Sequence, residues 1–206
     1  MAKRLLLVRH GRLGADYLGR LIGATDPPLD PEGERQGKTL AERLARWAPQ
    51  ACFCSPMQRC RQMAALVAPE LPPQVDANLR EIDFGRWENR TFAEAAAEDH
   101  SLVDRWAQMS PQFGFPGGET VADFLRRVRT AAERLIGAEA QTVLAVTHGG
   151  VIRTMICQLL GLEPHRYLAF DVPYAAMAVI DLFDGKGVLA ALERPEIAEM
   201  AEDGHG

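Results

Sequence analysis

The chain has 206 residues, of which 47% are hydrophobic and 25% are charged, and its formal net charge is −5. This composition is typical of a globular protein and excludes collagen-like, fibrous and disordered chains. The longest apolar runs, over 5–8 and 175–180, are far shorter than the roughly 18 residues of a membrane helix. The negative charge gives no electrostatic reason to bind nucleic acid or an anionic lipid surface. We therefore expect one domain over 1–206, with neither a membrane nor a nucleic-acid partner.

The cysteine spacing and the N-terminal residues indicate the cellular compartment of the protein. Cys52, Cys54 and Cys60 lie close together in the chain, but no second pair completes a zinc-type CxxC spacing. The apolar stretch near the N-terminus is only four residues long, which is too short for a signal peptide. We expect free thiols and a cytoplasmic location.

Short apolar runs alternate with helical patterns in the first part of the chain. A β-like run over 3–8 is followed by a long loop, and an Asp-Pro pair then begins a predicted helix over about 31–47. A second strand over 51–54 precedes a helix over about 55–67 that stops before a proline. These two strand–helix units favour an α/β fold.

The pattern weakens between the second helix and Pro116. A short extended piece lies near Val75, and two modest helical stretches follow at about 91–98 and 101–108. We interpret about 79–116 as a small helical cap insertion.

Stronger signals return at Thr120, which opens a capping-box pattern and an apolar helical face that extends to Ile136. A buried strand over 142–147 and a helix over 151–160 follow. Two further runs, over 176–183 and 188–192, flank a Gly-rich turn and predict a hairpin, and the acidic tail at about 194–206 is predicted to fray. The whole pattern predicts a three-layer α/β/α sandwich with a mostly parallel sheet, an antiparallel edge hairpin and the cap.

Three of the predicted strands end in residues suited to binding phosphate. The segments are Arg9-His10-Gly11, Ser55 to Arg59, and Thr147 to Gly150. Ligands of open α/β sheets bind beyond the carboxyl ends of the strands, so two histidines and two arginines are expected to converge. Arginine matches phosphate oxygens two at a time, and the amides that open the two following helices would add donors.

Two common motifs of phosphate and hydrolytic chemistry are absent from the sequence. The sequence contains no Walker loop and no HExxH motif. A histidine can take a phosphoryl group covalently, with cations beside it to offset the charge. A nitrogen and oxygen metal site on His10, His148 and nearby carboxylates is the open alternative.

Five ordered motifs resemble the histidine phosphatase superfamily, which includes the phosphoglycerate mutases. They are LVRHG at 7–11, SPMQR at 55–59, LREIDFGRWE at 79–88, PGGET at 116–120 and VTHGG at 146–150. The resemblance covers roughly 3–185. It implies that His10 is the phosphorylated nucleophile and that Glu81 is the proton donor. It also implies that Arg9, Arg59 and His148 bind the phosphate.

Further roles follow from the same resemblance. Gly149 is expected to bind phosphate, while Gly23 and Thr25 are candidate substrate contacts, with backbone geometry as the alternative role of Gly23. Asp83 and Glu88 are rivals to the proton donor because they are carboxylates in the same motif. No cofactor and no metal are implied.

The first motif departs from the family pattern. Arg12, Leu13 and Asp16 stand where family members often have an acidic residue, Thr and Asn. A carboxylate at Asp16 would be unfavourable near phosphate unless it is turned away, protonated or paired with Arg12 or Arg20.

The resemblance implies a metal-independent phosphomonoesterase that acts on a small phosphorylated metabolite. Within the superfamily, the segments at 19–29 and 84–88 resemble the alpha-ribazole phosphatases most. A phosphoglycerate mutase-type isomerase and a non-catalytic phosphate-binding module are the alternative functions. The sequence leaves the oligomeric state open, and a homodimer is one option.

Overall fold

The strands and helices follow the predicted order. The computed structural model describes residues 3–98 and 100–195, so nearly all of the predicted acidic tail lies outside the described residues. The strands are β1 (Lys3–Arg9), β2 (Ala51–Cys54), β3 (Gln74–Val75), β4 (Thr142–Thr147), β5 (Met177–Phe183) and β6 (Lys186–Glu193). The helices are α1 (Pro31–Ala45), α2 (Gln58–Val67), α3 (Phe92–Glu98), α4 (His100–Ala107), α5 (Val121–Gly137) and α6 (Gly149–Leu160). Within these described ranges, no helix has both the length and the apolar content needed to cross a membrane.

The six strands form one sheet in the order β3-β2-β4-β1-β5-β6. The pairs β3–β2, β2–β4 and β4–β1 are parallel, whereas β5 runs antiparallel to β1 and forms a hairpin with β6. This arrangement confirms the predicted α/β class, the mostly parallel sheet and the antiparallel edge hairpin.

Alternate residues of the central strands enter two separate cores. On one face, Leu6 and Val8 pack in a cluster that includes Leu40 of α1 and Met63 of α2. On the other face, residues such as Leu5 pack in a cluster that includes side chains of α5 and α6. Because helices cover both faces, the central strands are apolar throughout, as expected for parallel strands that are buried on both sides.

The hairpin turn is tighter than the predicted Gly-rich loop. Asp184 and Gly185 both have positive φ angles, 48° and 79°, and Phe183 pairs with Lys186 directly across the turn. An Asp-Gly pair favours this two-residue turn, because glycine adopts positive φ without steric cost and Asp tolerates it. The strand β6 therefore begins two residues before its predicted start.

The predicted cap shares the core on the α5 face of the sheet. Its aromatic side chains pack edge to face, with the Trp87 and Phe115 ring centroids 5.5 Å apart and those of Phe84 and Trp106 5.9 Å apart. Phe84 and Trp87 belong to the same buried cluster as Phe124 of α5. The segment is therefore anchored by aromatic packing beside the carboxyl end of β1.

Two glycines allow the loop after β1 to pass very close to α1. A Cβ built on Gly33 would lie 2.2 Å from the Arg12 carbonyl oxygen, and one built on Gly11 would lie 2.5 Å from the Gly33 carbonyl oxygen. Both contacts are with backbone atoms, which cannot rotate away. This close approach fixes the backbone that directly follows the end of β1.

We predict opposite effects from two Gly→Ala substitutions in helices. Alanine at an ordinary helical position stabilises by up to about 1 kcal/mol relative to glycine, as expected for Gly137, which has nothing near its Cβ position. Gly33→Ala should instead lower the free energy of unfolding by about 1–3 kcal/mol, because the new methyl group overpacks. Urea unfolding of both variants measures this, and stabilisation by Gly33→Ala would contradict the close approach.

Candidate active site

The parallel pairing of β1 and β4 brings the two motif histidines together. Arg9 and Thr147 are register partners, and the His10 amide donates to the Thr147 carbonyl over 3.0 Å. The next residue after each strand is a histidine, and the His10 and His148 ring centroids lie 5.2 Å apart. The predicted convergence is therefore present.

His10 is oriented by its own loop. Its Nδ1 lies 2.9 Å from the Gly11 carbonyl oxygen, which can only accept a hydrogen bond. In the neutral ring Nδ1 therefore carries the proton, and the lone pair lies on Nε2. Burial, followed by the charges of Arg9 and Arg59, holds the pKa of His10 well below its usual value.

His148 is fully buried at the N-terminus of α6. Its Nε2 lies 2.9 Å from the Ser55 hydroxyl, and the Cys60 sulfur is 3.4 Å from the same nitrogen. Burial and then the Arg59 charge hold the pKa of His148 well below its usual range. The segment after β2 thus holds the ring in place.

The Arg9 guanidinium stacks on the ring of Tyr174, and its Nε donor is without a partner in the described residues. Its Nη1 donates to the Val172 carbonyl over 2.7 Å, and its guanidinium carbon is 4.2 Å from the centre of the Tyr174 ring. Its Nε is buried and has no hydrogen-bond partner in the described structure. Burial is the main reason that its pKa is lowered. A Cβ on Gly149 would lie 3.4 Å from this guanidinium, so the glycine permits close contact.

Arg59, in the first turn of α2, is fully buried. Its Nη1 donates to the Thr25 carbonyl over 2.8 Å and its Nη2 to the Gly23 carbonyl over 3.0 Å. The Asp26 carboxylate is 3.5 Å from Nη1, and Nε is buried without a partner within the part of the chain described. Gly23 and Thr25, the candidate substrate contacts, therefore hold this arginine through their carbonyl groups.

Glu81 lines the same cavity as His10. One carboxylate oxygen accepts from the Gly150 amide over 3.0 Å and the other from its neighbour Ile82 over 3.1 Å. A Cβ on Gly150 would lie 2.5 Å from Glu81 Oε1, so the glycine permits this close approach. The Glu88 carboxylate, by contrast, accepts from a ring of donors away from the cavity.

A cavity of about 190 Å³ lies beside His10, whereas the fully buried His148 and Arg59 do not line it. Arg9, His10, Glu81 and Gly149 line it, together with an apolar wall. The wall consists of Leu13, Leu21, Ile22, Ile82, Phe84, Trp106, Met109 and Phe124. Gly23 lines a different cavity that lies on the other side of Glu81.

Sequence reasoning missed several polar residues of this cavity, namely Arg20, Arg153, Thr154, Tyr167 and Tyr174. Arg153 follows Gly149 by four residues on α6, so the helical period places both on one face. That spacing could have identified it. Tyr167 lies in a 3-10 helix, Pro164–Ala169, and Tyr174 in the loop after it, and neither segment gives a comparable signal.

One expectation about the phosphate loops differs from the structure. The Gln58 amide at the start of α2 donates to Asp26 over 2.7 Å, and the Met57 amide donates to the Ser55 hydroxyl over 3.4 Å. These amides are therefore occupied, whereas we expected them to serve as phosphate donors. Arg12 is paired with Asp30.

The remaining departures from the family motif have distinct positions. Asp16 is exposed, which places its carboxylate in solvent, and Arg20 pairs with Glu94 instead. Leu13 is buried and contributes to the apolar wall. Across 3–98 and 100–195, no group of three or more metal-binding side chains is present.

Comparison with curated proteins gives both longer and equal-length relatives. The chain is 42% identical over 157 residues to a bifunctional protein of Mycobacterium tuberculosis, covering 74% of this chain but only 43% of that protein. It is 33% identical over 202 residues to the adenosylcobalamin/alpha-ribazole phosphatase of Salmonella typhimurium, covering 94% of this chain and 100% of the relative. Phosphoserine phosphatase 1 of Hydrogenobacter thermophilus is 30% identical over 192 residues, with 92% and 91% covered.

Structure and family comparisons agree with the motifs. The crystal structure of the alpha-ribazole phosphatase from Shigella flexneri matches with a TM-score of 0.82 and 28% identity, covering 93% of this chain and 96% of that one. Residues 5–194 match the Histidine phosphatase superfamily (branch 1). Because that match spans nearly the whole chain and includes the paired histidines, the protein belongs to the histidine phosphatase superfamily.

Proposed function

We propose that this chain is a metal-independent phosphomonoesterase that acts through a phosphohistidine on a small phosphorylated metabolite. The observation that carries the proposal is the His10 geometry. A neutral imidazole with its Nδ1 proton held by Gly11 has its lone pair on Nε2 and lines the same cavity as Glu81. Neutral imidazole is the form that attacks phosphorus.

The buried cations supply the positive charge that a metal would otherwise bring. Within the described residues, Arg9 and Arg59 each have a buried Nε without a hydrogen-bond partner, and we propose that both nitrogens donate to phosphate. We propose that His148 and the Gly149 amide complete the phosphate site. Fixed donors of this kind stabilise the charge on a transferring phosphoryl group without reorganisation.

The reaction has two displacements. His10 Nε2 attacks phosphorus, the bond from phosphorus to the ester oxygen breaks, and Glu81 gives its proton to the departing alkoxide. A water molecule then attacks the phosphohistidine, Glu81 takes its proton, and the phosphorus–nitrogen bond breaks to release phosphate and restore neutral His10.

The substrate class follows from the wall that faces the histidine. Apolar and aromatic side chains surround the space beyond Glu81, and Arg153 and Thr154 add polar groups. This lining suits an alcohol with a flat apolar part, and alpha-ribazole 5′-phosphate is the candidate, as in two of the relatives. Phosphoserine is the second candidate because Arg20 and Arg153 line the same cavity and can meet a carboxylate. We propose that the 79–116 segment caps this space.

A reducing compartment is consistent with the thiols. All four cysteines are free and buried, and burial raises the pKa of Cys60 to about 12. Thiols are typical of the cytoplasm, which we propose as the location.

A phosphate-release screen in EDTA tests the proposed function. The panel contains alpha-ribazole 5′-phosphate, phosphoserine, phosphoglycerates, sugar phosphates and nucleotides, with His10→Asn as the matched inactive control. We expect release from at least one small monoester in wild type and none in the variant. Mutase activity without net phosphate release would favour the isomerase, and phosphate binding without turnover would favour a binding module.

Glu81→Gln should separate substrates by leaving group. Proton donation contributes about 10²- to 10⁴-fold when the leaving group is an alkoxide. The variant should therefore lose that factor on alkyl phosphates but lose much less on p-nitrophenyl phosphate, whose leaving group needs no proton. Steady-state kcat on both substrates measures this. Equal losses would mean that Glu81 positions the phosphate instead.

The neutral histidines also predict a pH dependence of stability. His10 and His148 have lowered pKa values when folded, whereas in the unfolded chain they bind protons near pH 6.5. Below that pH the unfolded state binds more protons, so the free energy of unfolding falls as the pH decreases. Each histidine contributes up to about 1.4 kcal/mol per pH unit.

Urea unfolding at several values between pH 5.5 and 7.5 measures this slope. His10→Asn should flatten it, whereas His165→Asn removes an exposed histidine and should leave it unchanged. Equal slopes in wild type and His10→Asn would contradict a neutral buried His10.

A further inference from the structure

The carboxylate of Glu88 is enclosed by hydrogen-bond donors. The consecutive amides of Gly23, Ala24 and Thr25 donate to it over 3.0, 2.8 and 3.2 Å. The Thr25 hydroxyl donates over 2.7 Å and the Phe84 amide over 3.2 Å. Successive backbone amides that converge on one anion form a nest. Because the side chain does not line the His10 cavity, Glu88 is unsuited to proton donation there.

The same short segment holds Arg59 from its other side. While its amides point to Glu88, the Gly23 and Thr25 carbonyls accept from the two terminal nitrogens of Arg59 over 3.0 and 2.8 Å. The arginine is fully buried, and within the described ranges its other side-chain partner is Asp26 at 3.5 Å. The position of the 23–25 backbone therefore determines the direction in which this guanidinium points.

The approach of the segment to Glu88 requires glycine. A Cβ on Gly23 would lie 1.9 Å from the Ile82 carbonyl oxygen and 2.6 Å from Glu88 Oε1. Glu88 itself follows a short 3-10 helix, Gly85–Trp87, whose tryptophan is buried in the main core. The anchor is thus rigid, and the segment it holds connects to the phosphate site.

We propose that Glu88 is a positioning residue that sets the guanidinium of Arg59 for phosphate binding through the 23–25 segment. This inference rests on the proposed function, in which Arg59 binds the phosphoryl group. Glu88 makes no contact with substrate. Its charge matters because an amide side chain would present an N–H group to amides that need an acceptor.

A double-mutant cycle tests this coupling. Glu88→Gln should lower kcat/KM for p-nitrophenyl phosphate about 10- to 100-fold, as expected when buried donors lose an acceptor. In an Arg59→Lys background, Glu88→Gln should lower kcat/KM less than about 3-fold, because the guanidinium that Glu88 positions is already absent. Orthovanadate inhibition should weaken in the same pattern, and Glu88→Asp, which keeps the charge, should recover part of the loss.

Controls separate positioning from general destabilisation. Glu193→Gln changes a carboxylate on the edge strand β6 that pairs with Arg43 and Arg46, and it should leave both readouts unchanged. Equal losses in both Arg59 backgrounds would overturn the proposal. If Glu88→Gln does not fold, Thr25→Val takes its place, because it removes only the hydroxyl donor to Glu88. Its loss of kcat/KM should again be smaller in the Arg59→Lys background.

Binding of inorganic phosphate, measured by calorimetry, makes the result independent of turnover. If the wild-type protein binds phosphate but hydrolyses no monoester, the proposed function is contradicted. The coupling between Glu88 and Arg59 is then read from the phosphate affinities of the four proteins in the cycle. Wild type that binds no phosphate would overturn the role of Glu88.

Discussion

The pairing of β1 with β4 is the contact on which the site depends. Residues 138 positions apart in the chain, His10 and His148, become neighbours because their strands run parallel and stop at the same level. These strands lie in the middle of the sheet and are buried on both faces by helices, so the site is attached to the buried core of the fold. Arg9 is the last residue of β1, and each histidine directly follows its strand, so no long loop is needed to place these side chains.

The site concentrates positive charge in a protein whose net charge is negative. Arg9 and Arg59 are held mainly by carbonyl oxygens, which orient a cation without cancelling its charge. Arg59 also has one carboxylate near it, that of Asp26, 3.5 Å from Nη1. The two arginine charges help to keep His10 neutral, since protonation beside two buried arginines is unfavourable. The same arrangement thus prepares both the binding of a dianion and the nucleophile that attacks it.

Local signals account for what the sequence predicts well. The strands over 51–54 and 142–147 match their predicted bounds because each is an apolar run flanked by polar turns. The Thr120 cap accepts from the Asp123 amide as its pattern indicates. The convergence of the histidines follows from the rule that parallel strands end at one edge of the sheet.

Contacts between distant segments were not predictable in this way. The acceptors of Arg59 come from residues more than thirty positions earlier, and the occupied α2 amides depend on Asp26, which lies in a loop without regular pattern. Tyr174 enters the cavity only because the segment after α6 folds back over Arg9. Propensity and periodicity carry no information about such pairings.

Chemical identification of the phosphorylated residue tests the proposed catalytic role of His10 most directly. Enzyme mixed rapidly with a ³²P-labelled monoester and denatured at once should carry label that is stable in base and lost in acid, as a phosphohistidine requires. Peptide mapping should place it on His10, and His10→Asn should carry none. Label on Ser55 or His148, or a fully active enzyme that never becomes labelled, would contradict a His10 nucleophile.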